Sequence, residues 1–464
     1  MDFNKRIQPP NPKMVRDILA KPPEKESTES FLISIVTPMF GGGEQAGKVN
    51  KERPVRESSI RGHLRFWWRA TRGAFFKTVG ELREREVQIF GDTSIPSNTK
   101  IRVNYVKDAR YGNATNLNEQ KKQVISKEWS SYALFPYSQM NGMNMLASCT
   151  FELNVQTSDQ KMIKDELYPA LWAWINFGGI GSRTRRGCGS LYCENFSPKL
   201  FPQYKTYEEW YKGEVARFNI DMVPSDNKRE WATLPSDICV QQNEGNIIVL
   251  WRNAIEQLKS FRTYKANGKR SVWPEADALR DITGMREARH DTHPKDKGTN
   301  IAFPRAAMGL PINFQFKQDR ELSRSHSDKR EPYTIQLRPG GKNRLSSPLI
   351  IKSLATSETM GVGIIFQLIH PDLEALDIVV SEEWTKQNDK QLNIVKERIK
   401  KYTLTREHIY KELNYSKNPY KKINTTSAIE AFLQSEEVKQ WKSETHSQKT
   451  TQSRTRTNKY PSKK

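Results

Sequence analysis

The sequence predicts an α+β protein built from tandem ferredoxin-like domains, the arrangement RNA-recognition domains also use, with insertions and a helical C-terminal extension. Three observations carry that reading. Between Phe31 and Phe196 the apolar spacing runs strand, helix, strand, strand, helix, strand, which is the split βαβ order. The stretch Gly178–Leu191 packs five glycines and three arginines into fourteen residues, where the second helix hands over to the last strand. After a helix at Asn246–Phe261, further strand-like runs between Leu310 and Ile369 repeat the same class.

The 464 residues suggest two or three domains. Residues 1–30, rich in Pro and charge, read as an N-terminal arm. Residues 31–200 form a first ferredoxin-like domain, 201–245 a connector, 246–380 a second such domain and 381–440 a helical extension. Residues 441–464, Ser/Thr/Gln-rich and basic, are expected to be a disordered tail.

In chain order, Phe31–Val36 is an apolar run of strand type, ended by Thr37-Pro38. Gly41-Gly42-Gly43 then opens a loop to about Arg56. From Ser59, an N-cap by residue type, Ile60, Leu64, Trp67, Trp68, Thr71 and Phe75 fall on one arc of a helix. Arg61, Arg65, Arg69 and Arg72 fall on the adjoining arc, with no Glu at i,i+4 to pair them. At helical spacing at least one of Trp67 and Trp68 is core, with base stacking the alternative. Val87–Phe90 and Lys100–Val106 read as strands about a turn at Gly91-Asp92, Asn113–Glu128 as a polar insertion, and Thr150–Val155 as an alternating strand. Leu167 to Ile175 recur at helical spacing, Gly178 stops that helix, and Gly189–Phe196 is a strand. Further strands are expected at Leu310–Phe316, Tyr333–Leu337, Pro348–Lys352 and Gly361–Ile369, and Glu382–Phe432 as largely helical.

The net charge is +22 at 36% hydrophobic content, which points to nucleic acid. Membrane is the weaker option: there is no long apolar run, and Met1–Pro10 lacks the apolar core of a signal peptide, so a cytoplasmic location is expected. Cys149, Cys188, Cys193 and Cys239 form no CxxC and are expected to be reduced structural thiols. No metal or other cofactor is called for. His290-Asp291-Thr292-His293 is poor ligand spacing and reads as a solvated loop.

The chemistry concentrates in the glycine/arginine segment. Gly178, Gly179, Gly181, Gly187 and Gly189 let backbone approach a ligand closely, and Ser182, Arg183, Thr184, Arg185 and Arg186 supply donors suited to phosphate oxygens. It is not a Walker loop, because no Gly-Lys-Ser/Thr ends it, and it follows a helix rather than a strand, the reverse of a dinucleotide fingerprint. Together with the helical stripe Arg61, Arg65, Arg69 and Arg72, these are the candidate RNA contacts.

Thr37-Pro38-Met39-Phe40-Gly41-Gly42, Ile60–Arg69, the Gly178–Leu191 loop, Trp273-Pro274-Glu275, Phe303–Pro311 and Ser347-Pro348-Leu349 together resemble the RAMP superfamily (repeat-associated mysterious proteins) of CRISPR systems. Within it they resemble the first-subunit family of the type III-B Cmr effector complex. The resemblance spans roughly residues 31–370, and Pro339-Gly340-Gly341-Lys342 is only a faint echo of a second G-rich loop. It implies a non-catalytic RNA-binding subunit in antiviral defence. Such a subunit holds the 3′ part of the guide RNA and the adjoining single-stranded target RNA beside other Cmr subunits, with target cleavage elsewhere. The alternative is a metal-independent endoribonuclease of the same superfamily with His63 as the acid/base group.

Overall fold

The computed structural model describes residues 27–43, 47–113, 115–117, 123–125, 129–130, 132–134, 144–224, 227–265, 270–285, 290, 293, 301–316, 331–332, 334–380, 390–420 and 423–443. The expected N-terminal arm lies almost wholly outside them, as do the tail beyond Ser443 and much of the Asn113–Glu128 insertion.

Strands β1 (Ser27–Ile35), β2 (Thr99–Asn113), β5 (Asn144–Thr157) and β6 (Leu191–Tyr192) form an antiparallel sheet in the order β2-β5-β1-β6; β3 (Thr115–Leu117) and β4 (Gln123–Ile125) form a separate hairpin. Strand β1 pairs β5 along its whole length, from Ser27 opposite Thr157 to Ile35 opposite Cys149. Helices α1 (Glu57–Arg72), α2 (Val79–Phe90) and α3 (Tyr168–Phe177) complete this half. Their apolar residues and the inward residues of the sheet, Phe31, Ile33, Phe151, Leu153 and Val155, make one core. All but the first residue of α3 are buried, which a mean composition of Leu, Trp, Ile, Ala and Phe dictates.

Several local expectations change. Val87–Phe90 is the last turn of α2, not a strand: Thr78 and Glu81 form a capping box, and Gly91, at φ 71°, ends the helix. Helix α1 begins at Glu57 with Arg56 as N-cap, so Ser59 lies inside its first turn. Phe75 falls past the end of α1 in a 3₁₀ turn and is half-exposed. Of Gly189–Phe196 only Leu191–Tyr192 is strand. The 201–245 stretch is more than a connector, because α4 (Tyr207–Arg217) buries Trp210 and Tyr211 in the first core.

The second half divides its strands between two sheets. Strands β7 (Cys239–Val240), β11 (Leu349–Ala355) and β12 (Met360–Gln367) run in the order β11-β12-β7, with β8 (Gly245–Asn246) also on β12. Strands β9 (Ile312–Phe314), β10 (Ile335–Pro339), β13 (Ala375–Val380) and β14 (Leu404–Thr405) form the other sheet, in the order β14-β13-β10-β9. Helix α5 (Ile247–Arg262) starts where the sequence places it, capped by the Asn246 side chain on Ile248 N and Val249 N. Helix α6 (Glu275–Thr283) was not anticipated. The 381–440 region holds three short helices beyond its first nine residues, α7 (Lys390–Lys400), α8 (Arg406–Ile409) and α9 (Ala428–Leu433), with α10 (Glu436–Ser443) after them.

All seven residues of β11 are buried. Ile350 and Leu354, with Val362, Ile364 and Phe366 of β12, belong to the first core. Leu349, Ile351 and Ile365 belong to the second, with Trp251, Leu258, Trp273, Phe303, Phe432 and Trp441. The β11-β12 pair is therefore a wall shared by both cores, which is why both faces of β11 are buried, Lys352 and Ser353 included.

Candidate nucleic-acid interface

The G-rich loop lies along this wall and is closed onto the end of β1. The buried Thr37 hydroxyl donates to Gly187 O (2.6 Å) and accepts from Ser190 N (2.7 Å). Gly189 N donates to Pro38 O, and both the amide and the hydroxyl of Ser182 donate to Phe40 O. Glycine is required at Gly189, where φ is 63° and a Cβ would stand 2.0 Å from Ile180 O. Trp174 Nε1 donates to Gly179 O, Trp251 Nε1 to Arg186 O, and Lys352 Nζ to Gly178 O (2.7 Å). Lys352 is fully buried in β11, and burial pushes its amine down to about 7.

The loop arginines point largely inward. Arg183, held at φ 61°, donates to Ala133 O. Arg185 donates to Ser347 O and lies over the Phe66 ring, 5.1 Å from its centre. Arg186 donates to Leu349 O (2.7 Å) and to Ser347 Oγ (2.8 Å). Burial lowers Arg185 to about 10 and Arg186 to about 9, so both are cations at neutral pH. These bonds satisfy carbonyls where β11 begins, so the arginines tie the two halves together.

The stripe on α1 also finds partners, across the fold rather than along its own helix. Arg61 donates to Phe90 O, Ser97 Oγ and Thr99 O. Arg65 and Arg69 converge on the buried Glu86 of α2, at 2.5 and 2.9 Å. Arg72 is buried and caps the carbonyls of Asp165, Phe218 and Asn219. The absence of an i,i+4 Glu is thus answered by a Glu on the next helix. Trp67 and Trp68 are both core, Trp68 Nε1 donating to Glu166 Oε2, so neither ring is free to stack on a base.

Sequence reasoning passed over the loop joining β1 to α1. Lys48, Lys51 and Arg53 are exposed and Arg56 partly so; among the described residues none of the four has a carboxylate partner. The loop is pinned by Gly43 N to Lys48 O, Val49 N to Asn144 Oδ1, and Asn50 Oδ1 accepting from Glu52 N and Arg53 N. Four cations in nine residues against Glu52 alone was the available signal.

Between this loop and the G-rich loop is a cleft of about 220 Å³, lined by Met39, Gly42, Pro54, Arg56, Ser59, His63, Ile180, Gly181 and Ser182. His63 stacks on Trp174 (6.3 Å, 15°) and burial holds it down to about 4, so it is neutral at pH 7. Among the described residues the lining contains no carboxylate, lysine or second histidine to share a proton transfer with it.

The remaining sequence motifs also assemble. Glu275, fully buried, pairs with Arg305 at 3.0 Å, and Arg305 lies over Trp273. His293 has its ring nitrogens on Asp277 Oδ2 and Val272 O, so it is a buried network member rather than part of a solvated loop; Asp291 and Thr292 lie outside the described residues. Among the described residues no His/Cys/Asp/Glu group is arranged to hold a metal ion, and no helix is long and apolar enough to cross a membrane. Cys149, Cys188, Cys193 and Cys239 are free thiols, and burial pushes Cys188 up to about 12.

The family model of the RAMP superfamily matches residues 32–192. The CRISPR system Cmr subunit Cmr1-1 of Pyrococcus furiosus is 31% identical over 236 residues, covering 48% of this chain and 68% of that protein. Cmr subunit Cmr1-2 of the same organism is 28% identical over 177 residues, 35% of this chain and 92% of its own. Among solved structures, apo Cmr1 from Pyrococcus furiosus aligns over 80% of this chain and 97% of its own at 18% identity, TM-score 0.42. A chain of a type III-B Cmr-beta complex bound to cognate target RNA aligns over 80% and 98% at 14% identity, TM-score 0.40. The chain belongs to the RAMP superfamily, among the Cmr1 subunits of CRISPR systems.

Proposed function

We propose that this chain is an RNA-binding structural subunit of a type III-B Cmr effector complex in antiviral defence. It holds the 3′ part of the guide RNA and the adjoining single-stranded target RNA by phosphate contacts, and it touches other Cmr subunits. In this reading both halves are ferredoxin-like. The order β2-β5-β1-β6 supports that for the first, and β11-β12-β7 with α5 and α9 supports a reduced version for the second.

The observation that carries the reading is a glycine-rich loop beside a cationic loop that has no carboxylate partner among the described residues, on a chain of charge +22. Lys48, Lys51, Arg53 and Arg56 make the outer phosphate contacts. The backbone around Gly178, Gly179, Gly181, Ser182, Thr184, Gly187 and Gly189 lies beside them. Arg61, Arg65, Arg69, Arg183, Arg185 and Arg186 add positive potential and whichever N–H groups their internal bonds leave over. The test is RNA affinity as a function of salt for the full chain, with Lys48, Lys51, Arg53 and Arg56 replaced by Ala. A lower affinity for every RNA sequence and a flatter salt slope is expected; an unchanged slope would overturn the assignment.

A further inference from the structure

His63 lines the cleft and stacks on Trp174; among the described residues its ring has no hydrogen-bond partner. His63 is only partly buried, and its ring borders an open concavity. Met39, Pro54 and Ile180 give the cleft apolar walls, while Ser59, Ser182 and His63 give it a polar edge and Arg56 a cationic rim. Among the described residues the lining holds no carboxylate to draw a cation. Among the described lining residues a bare phosphate would find Arg56 alone as a charged partner and would waste the apolar walls. A flat heterocycle uses both. The volume of about 220 Å³ lies below the ~300–1,000 Å³ of pockets that hold drug-sized ligands, which suits a single ring system. A neutral imidazole presents one donor and one acceptor, the complement of a base edge rather than of an anion.

We propose that this cleft takes one unstacked nucleobase of the bound strand, with His63 hydrogen-bonding its polar edge and Arg56 meeting the adjoining phosphate. The proposal rests on the RNA-binding reading above. It gives His63 a positioning role toward RNA without any bond being broken. Gly181, at φ 83°, must be glycine for the cleft wall to pack on the end of β1, since a Cβ there would stand 2.6 Å from Phe40 O.

The first test is direct. The full chain is labelled with ¹⁵N-histidine, the His63 imidazole signals are assigned by their loss in His63→Gln, and AMP, GMP, CMP and UMP are added in turn. At least one nucleotide is expected to shift His63 saturably while ribose 5-phosphate does not. An equal shift with ribose 5-phosphate, or none with any nucleotide, overturns the base pocket.

The second test compares a base-bearing RNA strand with an abasic strand of equal length. The wild-type chain is expected to favour the base-bearing strand by about fivefold or more, the scale of one base contact. His63→Phe, which fills the cleft, should bring that ratio toward one and leave the abasic affinity unchanged. Equal, salt-dependent binding of both strands by the wild-type chain overturns the pocket and leaves the phosphate reading standing. No binding of either strand at low salt overturns the RNA reading itself.

Discussion

Two sets of cations stand in contrasting surroundings. The arginines of the G-rich loop and of α1 are mostly engaged with carbonyls and with Glu86 inside the protein. The four cations of the β1–α1 loop face outward, and among the described residues no carboxylate pairs them. Density of positive charge in a sequence therefore marks two different things here: mortar between the halves and, in the proposed function, a surface for a polyanion. A guanidinium can serve as mortar because its five donors satisfy several carbonyls at once, as Arg186 does at Ser347 and Leu349.

That contrast can be tested by attacking each set in turn. The largest effect is expected where the loop has no room: Gly189→Val should cost about 3 kcal/mol or more of folding stability in urea titrations, from strain and collision with Ile180 O. Arg186→Met should follow with about 2–4 kcal/mol, since it strands buried acceptors at the head of β11. If Arg186→Met instead leaves stability intact and weakens RNA binding alone, the mortar assignment fails. The quadruple Ala variant of Lys48, Lys51, Arg53 and Arg56 should do the reverse. Its melting temperature should stay within a few degrees of wild type, while RNA affinity falls about 10- to 100-fold and the salt slope drops by roughly 0.7 per lost phosphate contact.

Buried titrating groups sharpen the comparison further. Lys352 is held at about 7, below its unfolded value, so between that pH and about 10 the unfolded chain binds more protons. Stability should therefore climb as pH rises through this window, by up to about 1.4 kcal/mol per unit. Lys352→Met, measured by denaturation at pH 7 and pH 9.5, should lose that part of the slope. The smallest effect is at His63. Its folded value of about 4 lies below the unfolded one, so its contribution is full above about pH 6.5 and is lost as pH falls toward 4. His63→Gln should flatten acid destabilisation in that window by about 1 kcal/mol per unit at most.

What the sequence disclosed, and what it hid, follows from range. Helices with a clean stripe were legible: α1 through Ile60, Leu64, Trp67 and Trp68, and α5 through Asn246 and its apolar periodicity. The long strands of the first half were legible as apolar or alternating runs at Phe31–Val36, Lys100–Val106 and Thr150–Val155. Helix α2 was hidden because Val87-Gln88-Ile89-Phe90 mimics a strand when the capping box ten residues earlier is overlooked. The arginines were misjudged because their partners are not local. Glu86 is 17 and 21 residues from Arg69 and Arg65, and Ser347 is 162 residues from Arg185. Periodicity reports which face of an element is apolar, not which distant carbonyl will meet a guanidinium there. The division of the second-half strands between two sheets was illegible for the same reason.

The wall formed by β11 and β12 has a consequence for how the molecule keeps time with itself. A strand pair that is interior to two cores cannot loosen on one side alone, so the halves are expected to melt as a single cooperative unit even though the family match ends at residue 192. Cutting the chain between the halves would leave each with an uncovered apolar face rather than yield two working pieces. A strand of RNA lodged beside Gly178, whose carbonyl is held by Lys352 in that wall, would be felt on the far side as slower amide exchange in β11. The partition between reader and scaffold runs through one sheet.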